Sequence, residues 1–471
     1  MIVNPEQPIE DFIDNEFGTF IVHRFEERTP RFDGLIDVHR KILYAAFTWE
    51  TKMKGKKRIA VSSLGSQTKI VTDYGKGEEN INRVIKNECI KNLPLYKGEG
   101  SFGTRVEPEG GQARYIGVLF PSYIDALFPK LDNVYLVEYQ YDEDQDRYVE
   151  PKSYNPLIPL LLVNGQQQIG VGFSNHVLPR SVKTIIDTLK AFTQGKKLNT
   201  QNWRIPIRIP HYKGEVTRVG AKKDRTWVLK GKYKWEGNTL WITEYRYDQN
   251  PYKYNEYLDE LKGKGYIYSY ASHSFVNTIK YEVKTLAKTR ELTDKQLRKL
   301  FKLDGTVTEN ILEIEEVGGN SKLKIFTDET SYIKDWYYKR VEIVEQRRLW
   351  MINDYNHQIE LLRSQIFYMM QVRDKEFDIS KITMEKLLEY LDKTKEIIRD
   401  VDPNTKEDKG YEYITKLRIT SMTKDNIERR KRKIKEYEDL RIELENTTKE
   451  KMYYDDLVNL EKELKKVGKY V

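Results

Sequence analysis

The sequence predicts an α+β protein built from several domains, and three observations carry that prediction. A chain of 471 residues exceeds what one compact core organises, so about three structural units are expected. Between residues 115 and 283, apolar runs such as "PLIPLLLV" mix with alternating patterns such as "NTLWITEYRY", as in a region of strands and helices. Residues 321–402 and 411–467 contain neither Gly nor Pro and are densely charged, as long helices are.

The first 50 or so residues read as helical. "FGTFIVHRFEERTP" stops at Pro30, which has no N–H to donate. "GLIDVHRKILYAAFTWE" then places Leu35, Val38, Ile42 and Leu43 at helical spacing. "TKMKGKKR" follows, with five cations in eight residues: Lys52, Lys54, Lys56, Lys57 and Arg58. "IAVSSLGSQTKIVTDYGKGEENINRVIKNECIKNL" reads as two short helices around a turn. Ser62 and Ser63 are placed to cap the first, and the second starts near Glu78 with acids where the helix dipole favours them. A basic segment beside a helix pair is a DNA-binding footprint; a solvated basic loop beside ordinary packed helices has the same composition.

In the middle, "LLLVNGQQQIGVGFSNHVLP" reads as a buried strand turning at Asn164-Gly165. "YDEDQDRY" reads as a solvated loop, since no second carboxylate cluster is present to complete a hard-metal shell. In the last third, Trp336, Ile343, Trp350, Ile359, Leu362, Ile366 and Met369 form an apolar seam, and 40 helical residues would span about 60 Å. Pro403 and Gly410 interrupt the pattern before a second charged helix. Two long helices flanking a small insert predict an antiparallel hairpin with a globular tip, or a bundle packed on its own domain.

Lys and Arg number 81 against 73 Asp and Glu, a formal charge of +8, so any nucleic-acid footprint must be local. The single cysteine, Cys89, excludes an intramolecular disulfide and suits a cytoplasmic location. None of the six histidines pairs with another at metal-ligand spacing, so no metal site is expected in this chain. The opening residues are acidic and lack the apolar core of a signal peptide, and no apolar run reaches the roughly 18 residues of a membrane helix.

The segment "GEGSFGTRVEPEGGQARYIGV" poses the chemical question. A tyrosine hydroxyl can attack a phosphodiester and hold the broken strand, but a phenol with a pKa of about 10 needs assistance at neutral pH. A neighbouring cation lowers that pKa and meets charge developing on the phosphoryl oxygens. Arg114 adjoins Tyr115, and the nearby glycines let backbone approach a phosphate. One Arg-Tyr pair among 33 tyrosines equally suits an ordinary packed aromatic.

Taken together, "FDGLIDVHRKILYAAF", "SLGSQTKIVTDYGKGEEN", "GSFGTR", "ARYI" and "VEPKSYNPLIPLLLVNGQQQIGVGF", ahead of a long helical hairpin, resemble the breakage-reunion subunits of type IIA DNA topoisomerases. "HYKGEVTRVG" and "YKWEGNTLWITEYRYDQNPYKY" bring the likeness nearest to the medium subunits of T-even-type phage enzymes. The resemblance implies a winged-helix DNA-binding domain over 1–120, an α/β tower domain over 121–325, and a coiled-coil arm over 326–471. A C-gate dimerisation tip would fall at about 375–425. It implies that Tyr115 attacks double-stranded DNA to leave a 5′-phosphotyrosyl link, with Arg114 stabilising the transition state. Arg40, Lys41, Lys56, Lys57, Arg58 and Arg28 would contact DNA, and Ile169 would wedge between base pairs. Mg2+ and ATP are implied to bind mainly on a separate large subunit, which carries the ATPase and the acidic metal-binding fold. The assembly would be a heterotetramer around a homodimer of this chain, in the host cytoplasm for a phage-encoded protein.

Two departures stand out. Where the family has "YHHGE" or "HPHGD", this chain has "YGKGE", so Lys76 occupies the place of the histidine that assists at the scissile phosphate. A lysine offers a point charge but not imidazole geometry. Where the family has "GLKP" or "GFKP", this chain has "GLID", which removes a cation and a proline. Other tyrosine enzymes fit less well: a rolling-circle nickase needs a histidine pair, and a recombinase carries its tyrosine near the C-terminus. A non-catalytic DNA-bending scaffold of the same fold is the alternative that "YGKGE" favours.

Overall fold

The structure is a computed structural model that describes residues 18–170, 173–197, 205–219, 225–317, 320–374, 383–418 and 422–471. The chain divides into two compact units, Met1–Tyr338 with Asp456–Val471, and Lys339–Asp455. The first unit opens with α1 (Gly18–Arg28), which ends just before Pro30, and α2 (Asp37–Thr48), whose Ile42, Leu43, Ala45 and Ala46 are buried. The short α3 (Glu50–Met53) leads to β1 (Ile59–Ala60), then to α4 (Val61–Val71) and α5 (Glu78–Cys89), the expected helix pair. Ser62 and Ser63 do not cap α4. The helix starts at Val61, and its N-cap residue is Ala60, without a side-chain bond. The N-terminal backbone of α4 is satisfied instead by the later chain, Val61 N–H donating to Ile116 O and Ser62 N–H to Ala113 O. β2 (Lys97–Glu99) and β3 (Gly117–Leu119) complete a three-stranded antiparallel sheet in the order β1-β3-β2.

After α6 (Ile124–Leu127) and α7 (Lys130–Val134), the acidic run "YDEDQDRY" is not simply a loop. It is a hairpin of β4 (Tyr139–Asp142) and β5 (Arg147–Pro151), with the acids at its turn. The expected strand in "PLLLV" is α8 (Leu160–Asn164), a single buried turn of helix. Apolar runs this short satisfy a buried helix and a buried strand equally. Gly165, at φ 64°, then reverses the chain into a hairpin of β6 (Gln166–Ile169) and β7 (Ser174–Val177). A Cβ at Gly165 would meet Val177 O at 2.5 Å.

α9 (Val182–Thr193) precedes β8 (Glu215–Arg218), β9 (Thr226–Lys230), β10 (Lys232–Glu236) and β11 (Thr239–Glu244). α10 (Pro251–Gly263) starts where "NP" signals it, with Asn250 capping and Pro251 in the first turn. β12 (Ile267–Ser272), β13 (Tyr281–Thr285), α11 (Ala287–Arg290), α12 (Asp294–Leu300) and β14 (Asp304–Thr308) follow. One antiparallel sheet has the order β10-β11-β13-β12 and another β14-β9-β8. Alternate residues of β11 face inward, so Leu240 and Ile242 join Tyr245, Tyr254, Val283 and Phe301 in a core. The same alternation turns Glu244 inward. β15 (Ile311–Val317) and β16 (Asn320–Phe326) form a last hairpin.

The charged last third begins as α13 (Glu329–Arg373), one continuous helix of 45 residues. Within the second unit it pairs antiparallel with α16 (Lys424–Asn446): Arg348 donates to Leu444 O, Arg441 to Asn356, and Tyr355 stacks on Tyr437. Between them lie α14 (Met384–Lys393), β17 (Asp400–Val401), β18 (Asp408–Gly410) and α15 (Glu412–Thr415). Leu387, Leu391, Ile397, Tyr411 and Ile414 close over Tyr368 as a small separate core. Residues 375–382 and 419–421 of the expected tip lie outside the described residues. The returning helix is not continuous. It stops at Asn446, and α17 (Lys449–Lys466) restarts after Thr448, whose hydroxyl accepts the Lys451 N–H. The break needs neither Gly nor Pro, because a threonine cap competes with helical backbone bonding.

Candidate active site

Tyr115 sits on a turn fixed from three sides. Its own N–H donates to Gln112 O at 2.9 Å, and the flanking carbonyls of Ala113 and Ile116 accept from the first residues of α4. From Gly117 the chain enters β3, paired on both edges. Behind the turn, Gly110 has φ 63° and lies so close to "GSFG" that a Cβ would meet Gly103 N at 2.6 Å. The Lys86 ammonium donates to Glu109 O and Gly111 O, tying the same segment to α5. The outcome is a Tyr115 side chain 64% exposed on an immobilised backbone. The Arg114 guanidinium, also exposed, lies 4.8 Å from the centroid of its ring.

Arg105 and its partners, which sequence reasoning passed over, brace the start of this loop. The Arg105 guanidinium donates to buried Glu244 at 2.6 Å and packs over Tyr212 and Tyr245. Its N–H donates to the Asn277 side chain, and the Val106 N–H to Val276 O. The four-stranded sheet thus holds the segment that leads to Tyr115. The inward alternation of β11 at Glu244 was the available signal.

A second group of expected residues meets at the end of α1. Arg28 donates to Ile169 O at 2.9 Å, and Lys76 forms a 2.8 Å ion pair with Glu27. Partial burial would raise the Glu27 carboxyl, but Lys76 outweighs it and holds the group below the usual carboxylate range. Arg28 and Lys76 line a cleft of about 700 Å³ with Asn80, Arg83 and Gln168, and Ile169, next in the chain, is 67% exposed. Tyr115 and Arg114 do not line this cleft.

Arg40 and Lys41, expected at the DNA, are mostly buried and ion-paired, and with Lys76 they line a second cleft. Arg40 is 2% exposed and donates to Leu35 O at 2.6 Å, with Asp33 at 3.4 Å. Burial keeps the Asp33 carboxyl above its ordinary value despite that guanidinium. Lys41 pairs with buried Glu150 at 2.6 Å and Asp37 at 3.6 Å. Burial pulls the ammonium down, and the two carboxylates more than restore it, above its usual range. Both cations flank the buried face of α2, where Asp33 and Glu150 supply counter-charges.

In the basic run, Lys52 lies over Trp49 and Lys54 pairs with Glu50 and Asp125. Lys56 and Lys57 are exposed, and Arg58 donates to Glu99 O while its stem covers Gly117. Among the described residues, no three of His, Cys, Asp and Glu gather as a metal-binding group. Glu107 and Glu109, near Tyr115 in sequence, are solvated turn residues, so the set around Tyr115 does not fit a divalent cation. No helix among the described residues is long and apolar enough to cross a membrane.

The site is thus an exposed tyrosine beside an arginine, on a hydrogen-bonded turn between a helix pair and a small sheet. The family model for the A-type subunit of DNA gyrase/topoisomerase IV matches residues 30–462, and the chain belongs to this family, the cleavage-and-religation chains of type II topoisomerases. It is 29% identical to the mitochondrial DNA topoisomerase 2 of Dictyostelium discoideum over 407 residues, 84% of this chain and 30% of that protein. It is 26% identical to the DNA topoisomerase medium subunit of Enterobacteria phage T4 over 396 residues, 82% of this chain and 85% of that one. The crystal structure of the Plasmodium falciparum topoisomerase II DNA-binding, cleavage and re-ligation domain superposes with a TM-score of 0.81 at 25% identity. That match covers 97% of this chain and 64% of that one. The chain therefore spans under a third of the Dictyostelium relative and most of the phage subunit.

Proposed function

We propose that this chain makes and reseals the transient double-strand break of an ATP-dependent type II DNA topoisomerase, with Tyr115 as nucleophile. The observation that carries the reading is the exposed Tyr115 on its pinned turn, with the Arg114 guanidinium 4.8 Å from the ring. The phenolic oxygen attacks a backbone phosphorus. A new P–O bond forms to Tyr115, the P–O3′ bond breaks, the phenolic proton leaves to solvent, and the departing 3′-oxygen takes up a proton. One phosphodiester replaces another, so the reverse reaction reseals the strand without an external energy source. Arg114 meets the charge on the non-bridging oxygens. The segment from α2 to β3 acts as a winged-helix domain, 121–325 as the tower, and α13 with α16 and α17 as a coiled-coil arm ending in a C-gate. Two copies pair there, one for each strand of the duplex. Arg28, Lys56, Lys57 and Arg58 contact the backbone, and Ile169 wedges between base pairs at a cost of a few kcal/mol of unstacking. Mg2+ and ATP act from a separate large subunit, in the cytoplasm.

A second reading, a DNA-bending scaffold without chemistry, draws support from Lys76, which holds Glu27 rather than an imidazole's place beside a phosphate. Denaturing a reaction of this chain, a large subunit, Mg2+ and DNA separates the two. Protein linked to DNA 5′ ends supports the enzyme, and DNA bound but never covalently trapped supports the scaffold.

A further inference from the structure

A cleft of about 730 Å³ lies where the end of α5, residues 207–216 and residues 468–471 meet. Lys91, Arg208, His211, Lys213 and Lys469 line it, and no Asp or Glu side chain does. Lys91 is paired with Glu88, and Lys213 donates to Thr278. Among the described residues, the side chains of Arg208, His211 and Lys469 have no hydrogen-bond or ion-pair partner. Val471, which also lines the cleft, has its carbonyl oxygen occupied by Lys183 N–H and the Ser181 hydroxyl.

The local backbone builds this cluster. The Asn92 side-chain amide donates among Arg208 O, Arg180 O and Val163 O, fixing the segment that carries Arg208. In "IPHY", Tyr212 N–H closes a turn onto Ile209 O, with Pro210 second and His211 third at φ 62°. Glycine or asparagine customarily fills that third place, and a histidine held in the left-handed region is the kind of strain that accompanies ligand sites. At the end of α17, Gly468 has φ 65°, its N–H donates to Lys465 O, and the Lys469 N–H reaches back to Leu464 O. This turn, common after helices, directs Lys469 into the cleft, where it is half-buried. Burial and then the charge of Arg208 hold the Lys469 ammonium below its usual range. His211, though exposed to solvent, is lowered too, by partial burial and then by Lys469 and Arg105. Lys469 thus bears the charge of Arg208 and in turn acts on His211, with no Asp or Glu side chain lining the cleft, an arrangement that an anion relieves.

We propose that this cleft binds a phosphate group, with Arg208, His211 and Lys469 as its donors. The phosphate belongs either to a free polyphosphate or nucleotide or to a DNA backbone. The inference is independent of Tyr115 chemistry, and its test needs no cleavage.

The test is calorimetric titration of the full chain with inorganic pyrophosphate, ATP and a short DNA duplex at fixed salt. The double variant Arg208→Ala with Lys469→Ala should weaken at least one probe about tenfold or more, since two charge-assisted contacts are lost. His211→Gly should weaken the same probe several-fold without lowering the melting temperature, because glycine relieves the positive φ. Loss confined to the duplex identifies a DNA phosphate; loss of pyrophosphate or ATP identifies a free one. In wild type, the His211 ring proton signals should titrate at higher pH when the bound probe is present. Affinities for all three probes that are unchanged in the variants, or a His211 titration that no probe moves, would overturn the proposal.

Discussion

Tyr115 differs from Tyr96, Tyr154, Tyr254 and Tyr332 in where its hydroxyl ends. Those four are buried, and burial raises each phenol well above its ordinary value, which suits a core and prevents ionisation. Tyr115 meets solvent with Arg114 against its ring. Tyr115→Phe should therefore abolish covalent cleavage while leaving DNA affinity within a few-fold, as filter binding and denaturing gels would read. Covalent complex persisting in that variant would move the nucleophile elsewhere. Lys76 makes a second residue-level prediction. Because Glu27 holds it, Glu27→Gln should free the ammonium and tighten DNA binding, whereas Lys76→Ala should slow cleavage by roughly 10²-fold, the scale of one lost transition-state donor. Cleavage unchanged in Lys76→Ala would make it a structural partner of α1 alone. Tyr115 itself was not legible from its neighbours in sequence; only the family resemblance singled it out. The burial of Lys41 was hidden because its counter-charge Glu150 lies 109 residues away.

At the scale of elements, the loop that carries Tyr115 depends on backbone contact at Gly110. Gly110→Ala should displace it, since the new Cβ would fall 2.6 Å from Gly103 N and φ is 63°. Cleavage should fall by more than DNA binding; equal losses in both would show that the loop serves binding rather than positioning. Helix α2 carries a pH dependence through His39, buried 3.4 Å from Glu88. Burial first, and then Lys91 and Arg40, lower its pKa to about 4 against the pull of Glu88. The unfolded chain binds the proton more readily, near its ordinary 6.5, so this group's contribution is intact above that value and declines as pH falls towards 4. Between pH 7 and 5 the loss should be about 2 kcal/mol. Urea midpoints at the two pH values should converge in His39→Asn, and a gap as large as the wild type's would assign the dependence to another group. Elements marked by periodicity were legible: α2, the α4–α5 pair and β11. The helix α8 was not, because four consecutive apolar residues carry no period. Nor was the break at Thr448, where a cap replaces the usual Gly or Pro.

For the whole molecule, the division into two compact units predicts separable stability. Leu391 is fully buried in the small core of the second unit, and Leu391→Ala should cost about 2–5 kcal/mol there. Hydrogen exchange should accelerate across 384–414 and stay unchanged in β11; acceleration in both would mean that the units unfold as one. The charge-dense, Gly- and Pro-free segments made the second unit legible, while its core drew on Leu387, Ile397 and Tyr411, which no single periodic stretch contains. DNA cleavage through Tyr115 is decided by quenching a cleavage reaction with detergent. The reaction would hold this chain, a large topoisomerase subunit, Mg2+ and DNA labelled on each end in turn. Protein on the 5′ ends, free 3′-hydroxyls, and a digest in which the DNA-bearing peptide contains Tyr115 are the expected result. A linkage to 3′ ends, a modified residue other than Tyr115, or DNA bound without any covalent product would contradict it.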